Sequence, residues 1–156
     1  ALDVTVQAQI LDLMNDLQQE FNSAVIIITH DLGVVAQLAD DILVMYGGKA
    51  VAQGPAREIF YTPEHPYTWG LLSSMPRLDR DRQDRLVPIS GSPPSLINVP
   101  SGCAFHPRCP YAMLNGDLST TVVPLMEESI PGHRVACHLA PEERRRIFAE
   151  QVRPRL

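Results

Sequence analysis

The stretch VIIITHDLGVVAQLADDI, residues 25–42, decides the fold prediction for this chain of 156 residues. Residues 24–29 form a short, continuous run of apolar and β-branched side chains, which is typical of a parallel strand covered on both faces. Asp31 is a natural N-cap, so a helix is predicted to begin directly after His30. His30 is therefore predicted to lie in a strand-to-helix turn, at the sheet edge where open parallel sheets bind ligands.

The residues on either side of this stretch predict an α/β arrangement. Residues 4–21 repeat apolar side chains at helical period and predict an amphipathic helix before the strand. Its apolar face consists of Val6, Ile10, Leu13, Met14, Leu17 and Phe21. After residue 41, two short strands are predicted around Gly47 and Gly48, a pair suited to a tight hairpin. Short helices are predicted in PAREIF, PYTWGLLSSM and, near the end of the sequence, PEERRRIFAEQ.

Composition bounds the class of protein. A hydrophobic content of 45% over 156 residues predicts one real core, or one core with a small appendage. The net charge of -5 provides no broad basic field for phosphates, so nucleic acid is not an expected partner. The sequence has no apolar run of membrane-spanning length and no signal-peptide pattern at its start. Three cysteines, an odd number, favour a reduced compartment, and we expect a soluble chain in the cytoplasm.

The distribution of prolines and cysteines divides the chain. All fourteen prolines lie at or after Pro55, and all three cysteines lie at or after Cys103. We therefore predict a first domain over residues 1–78 and a proline-rich, mostly irregular α+β extension over residues 79–156. The mixed-charge run DRDRQDR, residues 79–85, is predicted to be a linker or an exposed turn.

Two groups of residues have chemistry that could serve a site. An imidazole at the position of His30 could donate a hydrogen bond to a phosphate oxygen and stabilise charge as a bond to it breaks, or could simply be a turn residue. Cys103 and Cys109 in CAFHPRCP, with Cys137 in VACH, could bind a soft metal or an iron–sulfur cluster, or could be unliganded thiols.

Several ordered motifs carry a resemblance to a known family. ALDVTVQAQIL followed by IIITHDLGVVAQLADDILVMYGGKAVAQG resembles the last third of an ATP-binding-cassette (ABC) nucleotide-binding domain. EIFYTPEHPYTWGLLSSMP, PISGSPPSLINVPSGCAFHPRC and PGHRVACHLA resemble the C-terminal extension of ATPase subunits from dipeptide, oligopeptide and related nickel importers. The resemblance implies the C-terminal portion of a P-loop NTPase fold, followed by the α+β extension.

The resemblance implies roles for two residues and a set of partners. His30 matches the switch histidine that reaches the γ-phosphate of ATP, and Asp3 matches the D-loop aspartate at the interface between two nucleotide-binding domains. It also implies ATP and Mg²⁺, a second ABC ATPase subunit, membrane permeases, a separate solute-binding protein and a location at the cytoplasmic face of the membrane.

The cysteine region departs from the family pattern. Many family members have four cysteines here and bind a [4Fe–4S] cluster, whereas this sequence has three, and LNGDLSTT after YAM has none. A cluster with a fourth ligand such as Asp117 or a histidine, zinc with His106, His133 or His138, and an empty site all remain open.

The catalytic loops of the family are absent from the 156 residues. The sequence has no G-x-x-x-x-G-K-[ST] loop, no ABC signature and no apolar strand ending in Asp-Glu. We therefore expect a C-terminal fragment of a longer ATPase subunit, inactive alone. The alternatives are a free-standing metal-binding or iron–sulfur interaction module and a nickel-import ATPase.

Overall fold

The structure is a computed structural model, and it describes residues 4–75 and 88–156. Asp3, the predicted boundary at residues 78/79 and the predicted linker over residues 79–85 lie outside the described residues. The chain divides into two compact units, Ala1–Asp40 and Asp41–Leu156, which we describe separately.

The first unit contains two helices. As predicted, the amphipathic segment forms a helix, α1 (Val4–Phe21). Its apolar face is largely exposed, since Leu13 is 56% exposed and Phe21 is 68% exposed. The second helix, α2 (Leu32–Leu38), begins after Asp31, as predicted from its N-cap. Asp31 Oδ1 accepts hydrogen bonds from the backbone N–H groups of Gly33 and Val34 at 2.9 and 3.3 Å.

The prediction of a buried parallel strand over residues 24–29 is wrong for the described chain. These residues belong to no helix or strand. Ile26 and Ile28, which would share one face of a strand, are 91% and 98% exposed, and Val25 and Ile27 of the other face are 42% and 38% exposed, so neither face is fully covered. A parallel strand needs neighbouring strands for its backbone groups and helices over its faces. No described strand pairs with this segment.

The second unit is built on a four-stranded antiparallel sheet with strand order β1-β2-β4-β3. The strands are β1 (Asp41–Tyr46), β2 (Lys49–Pro55), β3 (Glu127–Ile130) and β4 (His133–Val135). The predicted hairpin joins β1 to β2, and both turn glycines, Gly47 and Gly48, have positive φ angles of 55° and 75°. Such angles suit glycine because it has no Cβ atom. Strand β4 pairs with β2, so the cysteine-containing region shares one sheet with the predicted hairpin.

Helices and irregular segments complete the second unit, as the sequence predicts. Its helices are α3 (Ala56–Tyr61), α4 (Pro66–Ser73), α5 (Leu118–Thr121) and α6 (Pro141–Ile147). Helix α6 continues into a wider helical turn over Phe148–Val152 and a 3₁₀ turn over Arg153–Arg155. The fold is therefore mixed helix and strand. Among residues 4–75 and 88–156, no helix is both long and apolar enough to cross a lipid bilayer.

Two hydrophobic clusters hold the second unit together. One lies against the sheet and includes Tyr46, Val51, Ile59 and Phe105, all at most 6% exposed. The other joins α4 to the end of the chain, and it consists of Trp69, Leu139, Ile147, Phe148 and Val152. Because both clusters include residues from before residue 76 and after residue 100, the extension packs on the hairpin and α4 and forms one unit with them.

Candidate functional site

The turn that contains His30 is shaped by its two neighbours. The backbone N–H of Asp31 donates a hydrogen bond to Thr29 Oγ1 at 3.0 Å, and Asp31 in turn caps α2. Gln7 Nε2 from α1 donates to Asp31 Oδ2 at 3.3 Å. These contacts fix the chain direction just before and after His30, whose imidazole is exposed to solvent.

The carboxylate beside His30 keeps its charge over a wide pH range. The hydrogen bond from Gln7, followed by those from the Val34 and Gly33 backbone, lowers the pKa of Asp31, and a nearby His30 charge acts in the same direction. An exposed imidazole next to a fixed anion can donate a hydrogen bond to an incoming acceptor such as a phosphate oxygen. The second predicted residue of this site, Asp3, lies outside the described residues.

The three cysteines, of which Cys103 and Cys109 are close in sequence and Cys137 is distant, line one small cavity in the second unit. Cys103, Cys109 and Cys137 surround a space of about 20 Å³, together with His106, His138 and Asn115 among other residues. Such a volume holds about one water molecule. The cysteine candidates from the sequence are thus brought together, and none of them is in a disulfide.

Tight backbone packing positions Cys103 at this cavity. Its N–H donates to Ser119 O at 3.0 Å, and Ser101 Oγ donates to Thr120 O at 2.8 Å. Gly102 lies between them with φ +67°, and a Cβ atom there would come within 2.5 Å of Ser119 O. Glycine is therefore required at this close approach.

Burial keeps the three thiols protonated at neutral pH. It raises the pKa of Cys109 to about 12, and it raises the pKa of Cys103 and Cys137 as well. Charges on the other cysteines raise the Cys109 pKa further, so the thiols are close enough to influence each other. A bound metal would reverse this effect, because a thiolate is the form that coordinates metals.

The fit of a metal centre depends on its kind. In the described part of the chain, no group of three His, Cys, Asp or Glu side chains is arranged to hold one metal ion. This finding disfavours a single zinc ion, whose four ligands must all lie within about 2.0–2.3 Å of one point. Thiolates are also the ligands of iron–sulfur clusters, but the same finding gives no support to a cluster, and a space of about 20 Å³ is smaller than one.

The candidate fourth ligands differ in whether they line the thiol cavity. His106 and His138 line the thiol cavity, and each uses one ring nitrogen to bond a backbone carbonyl, those of Cys103 and Val122 at 2.9 and 2.8 Å. His133 and Asp117 are not among the residues that line it. His133 is fully buried on β4, and neither of its ring nitrogens has a hydrogen-bond partner among the residues that the structure describes.

One polar cluster was missed by the sequence analysis. Glu64 is 3% exposed and accepts a hydrogen bond from Arg144 Nε at 3.0 Å and one from Ser129 Oγ at 2.6 Å. Arg145 Nη1 approaches the other carboxylate oxygen at 3.4 Å. No local sequence pattern predicts this cluster, because Glu64 and Arg144 are 80 residues apart in the sequence.

Comparison with known proteins shows that this sequence is similar to ATP-binding proteins of transport systems. A family model described as "Oligopeptide/dipeptide transporter, C-terminal region" matches residues 51–115. The oligopeptide transport ATP-binding protein OppD of Salmonella typhimurium is 52% identical over 143 residues, which cover 92% of this chain and 41% of that protein. The dipeptide transport ATP-binding protein DppD of Bacillus subtilis is 50% identical over 139 residues, 89% of this chain and 40% of that protein.

Both relatives are ATP-binding proteins of transport systems, and this is the class of protein to which the chain is similar. Within that class, the chain belongs to the oligopeptide/dipeptide ABC transporter family and corresponds to the C-terminal part of its ATP-binding subunits. It spans about two fifths of the length of these curated relatives.

Proposed function

We propose that this chain is the C-terminal part of an ATP-hydrolysing subunit that powers the import of oligopeptides or dipeptides. The observation that carries the proposal is the exposed apolar surface that leads up to His30. Phe21, Ile26 and Ile28 are 68%, 91% and 98% exposed. Burying one such side chain stabilises a protein by about 1.5–3 kcal/mol, so a surface of this kind requires a partner.

The partner that we propose for this surface is the rest of the same nucleotide-binding domain. The 24–29 segment has the composition of a buried parallel strand, and it pairs with no described strand. Strands supplied by the remainder of a longer subunit would pair with it, and α1 would cover one face of that sheet. Such a sheet places His30 at the carboxyl end of a strand, which is the edge where phosphates bind.

His30 is the residue for which we propose a catalytic role. Its imidazole would donate a hydrogen bond to the γ-phosphate of ATP and stabilise the charge that develops as the phosphoryl group leaves. Asp31, whose pKa is held low, would keep a negative charge beside the imidazole and favour its hydrogen-bonded orientation. Asp3 is proposed to lie at the interface between two nucleotide-binding domains.

ATP and Mg²⁺ are proposed as ligands of the intact subunit. The phosphate-binding loop and the Mg²⁺-binding strand that such a site needs are absent from the 156 residues. On this proposal the chain alone does not hydrolyse ATP. The subunit would act with a second ATPase subunit, permease subunits and a solute-binding protein, at the cytoplasmic face of the membrane.

The test uses the intact subunit in its transporter. We expect His30→Ala to leave ATP binding within about twofold of wild type and to lower ATP turnover by at least about a hundredfold, as for loss of a group that acts mainly in the transition state. Gln37→Ala on the exposed side of α2 is the matched control and should leave both quantities unchanged. Unchanged turnover in the His30 variant would contradict the assigned role.

A second candidate function concerns the thiol cavity. We propose Cys103, Cys109 and Cys137 as protein ligands of an iron–sulfur cluster, because all three line one cavity and thiolates are the ligands that such clusters use; the cavity would have to widen to hold one. When bound, such a cluster would fix the segment around Cys103 and Cys109 and the segment around Cys137 in one arrangement. Asn115 also lines the cavity and occupies a place where a fourth ligand could lie.

Iron and sulfide analysis of anaerobically purified protein tests this second candidate. We expect bound iron and acid-labile sulfide in the wild type and their loss in Cys103→Ser. Asn115→Cys should retain iron for longer in the presence of a chelator, because it adds a fourth thiol at the same cavity. Met113→Ser, an exposed change two residues away, is the control. Iron-free wild-type protein would contradict the candidate.

A further inference from the structure

A second and much larger cavity lies beside helix α4. It has a volume of about 490 Å³, within the range of small-molecule binding sites, which is about 300–1,000 Å³. Its walls come from α4, from the segment that follows residue 87, from the loop around Cys109 and from the last residues of the chain. Neither the sequence motifs nor the proposed ATPase function assigns a role to this cavity.

One end of the cavity is apolar and well fixed. Trp69 and Phe105 are both 2% exposed, and Ile89 lies directly against the backbone of α4. The contact is possible because residue 70 is a glycine, since a Cβ atom there would lie 2.6 Å from Ile89 Cγ1. Trp69 is held by a hydrogen bond from its indole Nε1–H to Pro63 O at 2.7 Å. This end is a rigid surface suited to a planar or branched apolar group.

Polar groups meet at another part of the same wall. Tyr111, Gln151 and Arg155 all line the cavity. The Tyr111 hydroxyl donates to Gln151 Oε1 at 3.4 Å, and burial raises the pKa of Tyr111, so the hydroxyl stays protonated at neutral pH. The charge of Arg155 lies close enough to oppose that rise in pKa. This group of side chains therefore combines one cation, Arg155, with one neutral donor, the Gln151 Nε2 amide, which the Tyr111 hydroxyl holds in place.

Only one of the two arginines at the cavity is available for a ligand. Arg108 donates from Nε to Ser90 O at 2.8 Å and from Nη2 to Ile89 O at 2.9 Å, so its guanidinium anchors the wall itself. Arg155 makes no hydrogen bond or salt bridge to any residue within 4–75 or 88–156. A single guanidinium fork matches one carboxylate in size and charge.

We propose that this cavity binds a small carboxylate whose body is aromatic or branched apolar. The carboxylate pairs with Arg155 and accepts a hydrogen bond from the Gln151 Nε2 amide, which is oriented by the bond from the Tyr111 hydroxyl to Gln151 Oε1. The apolar body lies against Trp69 and Ile89. Inorganic phosphate lacks the apolar body, and an uncharged aromatic molecule lacks the group that pairs with Arg155, so neither satisfies both ends of the cavity.

The test measures binding of three probes to the wild-type chain. The probes are 3-phenylpropionate, its neutral amide 3-phenylpropionamide and inorganic phosphate. Trp69 is the only tryptophan in the sequence, so its fluorescence reports directly on the cavity, and calorimetry provides an independent affinity. We expect 3-phenylpropionate to bind at least about tenfold more tightly than its amide. Phosphate is expected to leave the Trp69 signal unchanged.

Three variants separate this proposal from non-specific binding. Arg155→Gln should weaken the binding of 3-phenylpropionate by about tenfold and leave the affinity for its amide unchanged, because the substitution removes only the charge-assisted contact. Arg153→Gln, an exposed arginine in the same turn that does not line the cavity, is the matched control and should change neither affinity. Ser73→Leu places a larger side chain on the cavity wall and should abolish binding of both organic probes.

Several outcomes would overturn the proposal. They are the absence of probe binding at millimolar concentration, equal affinity for acid and amide, equal losses in Arg155→Gln and Arg153→Gln, and a competing effect of phosphate. The proposal does not depend on ATP hydrolysis, so failure of the His30 prediction would leave it untouched.

Discussion

Replacing Glu64 with glutamine should destabilise the second unit more than any exposed charge change. Glu64 and Arg144 are 3% and 5% exposed at their side chains and lie 3.0 Å apart. Glu64→Gln keeps the shape of the side chain but leaves the buried Arg144 guanidinium without a counter-ion. Losing one partner of a buried pair costs about 3–5 kcal/mol.

The expected shift in unfolding follows from that cost. Glutamine retains a carbonyl oxygen that can still accept from Arg144, so we take the lower end of the range, about 3 kcal/mol. With a urea m-value of about 2 kcal/mol/M, the midpoint of urea unfolding should fall by about 1.5 M. Circular dichroism during urea titration of the 156-residue chain measures this midpoint.

Two further variants test the reasoning behind this value. Glu142→Gln removes an exposed carboxylate that pairs with Arg145 at 3.3 Å and is itself 82% exposed, so the midpoint should move by at most about 0.3 M. The double variant Glu64→Gln with Arg144→Met removes the unpaired charge and should recover a large part of the lost stability. Equal shifts for Glu64→Gln and Glu142→Gln, or no recovery in the double variant, would refute the argument.

Three other changes have defined outcomes. Gly102→Ala should cost about 2–3 kcal/mol in the free energy of unfolding, because it adds a Cβ atom 2.5 Å from Ser119 O at a positive φ angle. Gly48→Ala, at a positive φ angle with open space around it, should cost about 1 kcal/mol; equal costs would argue against the close approach at residue 102. Burial lowers the pKa of His65 from its ordinary 6.5 to about 3. Between these two pH values the unfolded chain therefore binds a proton that the folded chain does not. The contribution of His65 to the free energy of unfolding should be complete above about pH 6.5 and should be lost as the pH falls towards 3. His65→Asn, which keeps an acceptor for the N-cap hydrogen bond of α4, should flatten that dependence in urea titrations at several pH values; an unchanged slope would mean that other groups cause it. In metal-free protein, Cys109 should react with iodoacetamide at pH 7.5 far more slowly in the folded chain than in urea, because its pKa is raised to about 12, and equal rates would contradict its burial.

Local sequence patterns predicted the elements whose contacts are local. The helical period of residues 4–21, the N-cap of α2 and the glycine pair between β1 and β2 each depend on neighbours a few residues away, and all three are confirmed. The Glu64–Arg144 pair and the pairing of β4 with β2 join segments about 80 residues apart, and β4 is only three residues long. Neither feature has a periodic signal that sequence reasoning could use.

The wrong strand prediction has a different cause. The 24–29 segment has the composition of a strand buried in a parallel sheet, but composition specifies the environment that a segment needs and does not provide the neighbours. Among the described residues no strand pairs with it, and Ile26 and Ile28 are almost fully exposed. The same reading placed His30 in a turn before a helix, and that part is confirmed.

The candidate site was predicted in part. The sequence identified three cysteines as candidate ligands, and the structure places them around one cavity. The sequence alone did not show which histidines lie beside the cysteines. His106 and His138 line the cavity, whereas His133 is buried elsewhere on the sheet. The larger cavity beside α4 is lined by side chains from four separate segments of the chain, so no single sequence motif predicts it.

The central claim is that this chain belongs to a longer ATP-hydrolysing subunit. The most direct test is the intact mass of the protein captured from its native source with an antibody raised against residues 141–152. We predict a mass well above the 17.3 kDa of the 156 residues, and a captured protein that binds ATP. A mass of 17.3 kDa without ATP binding would contradict it.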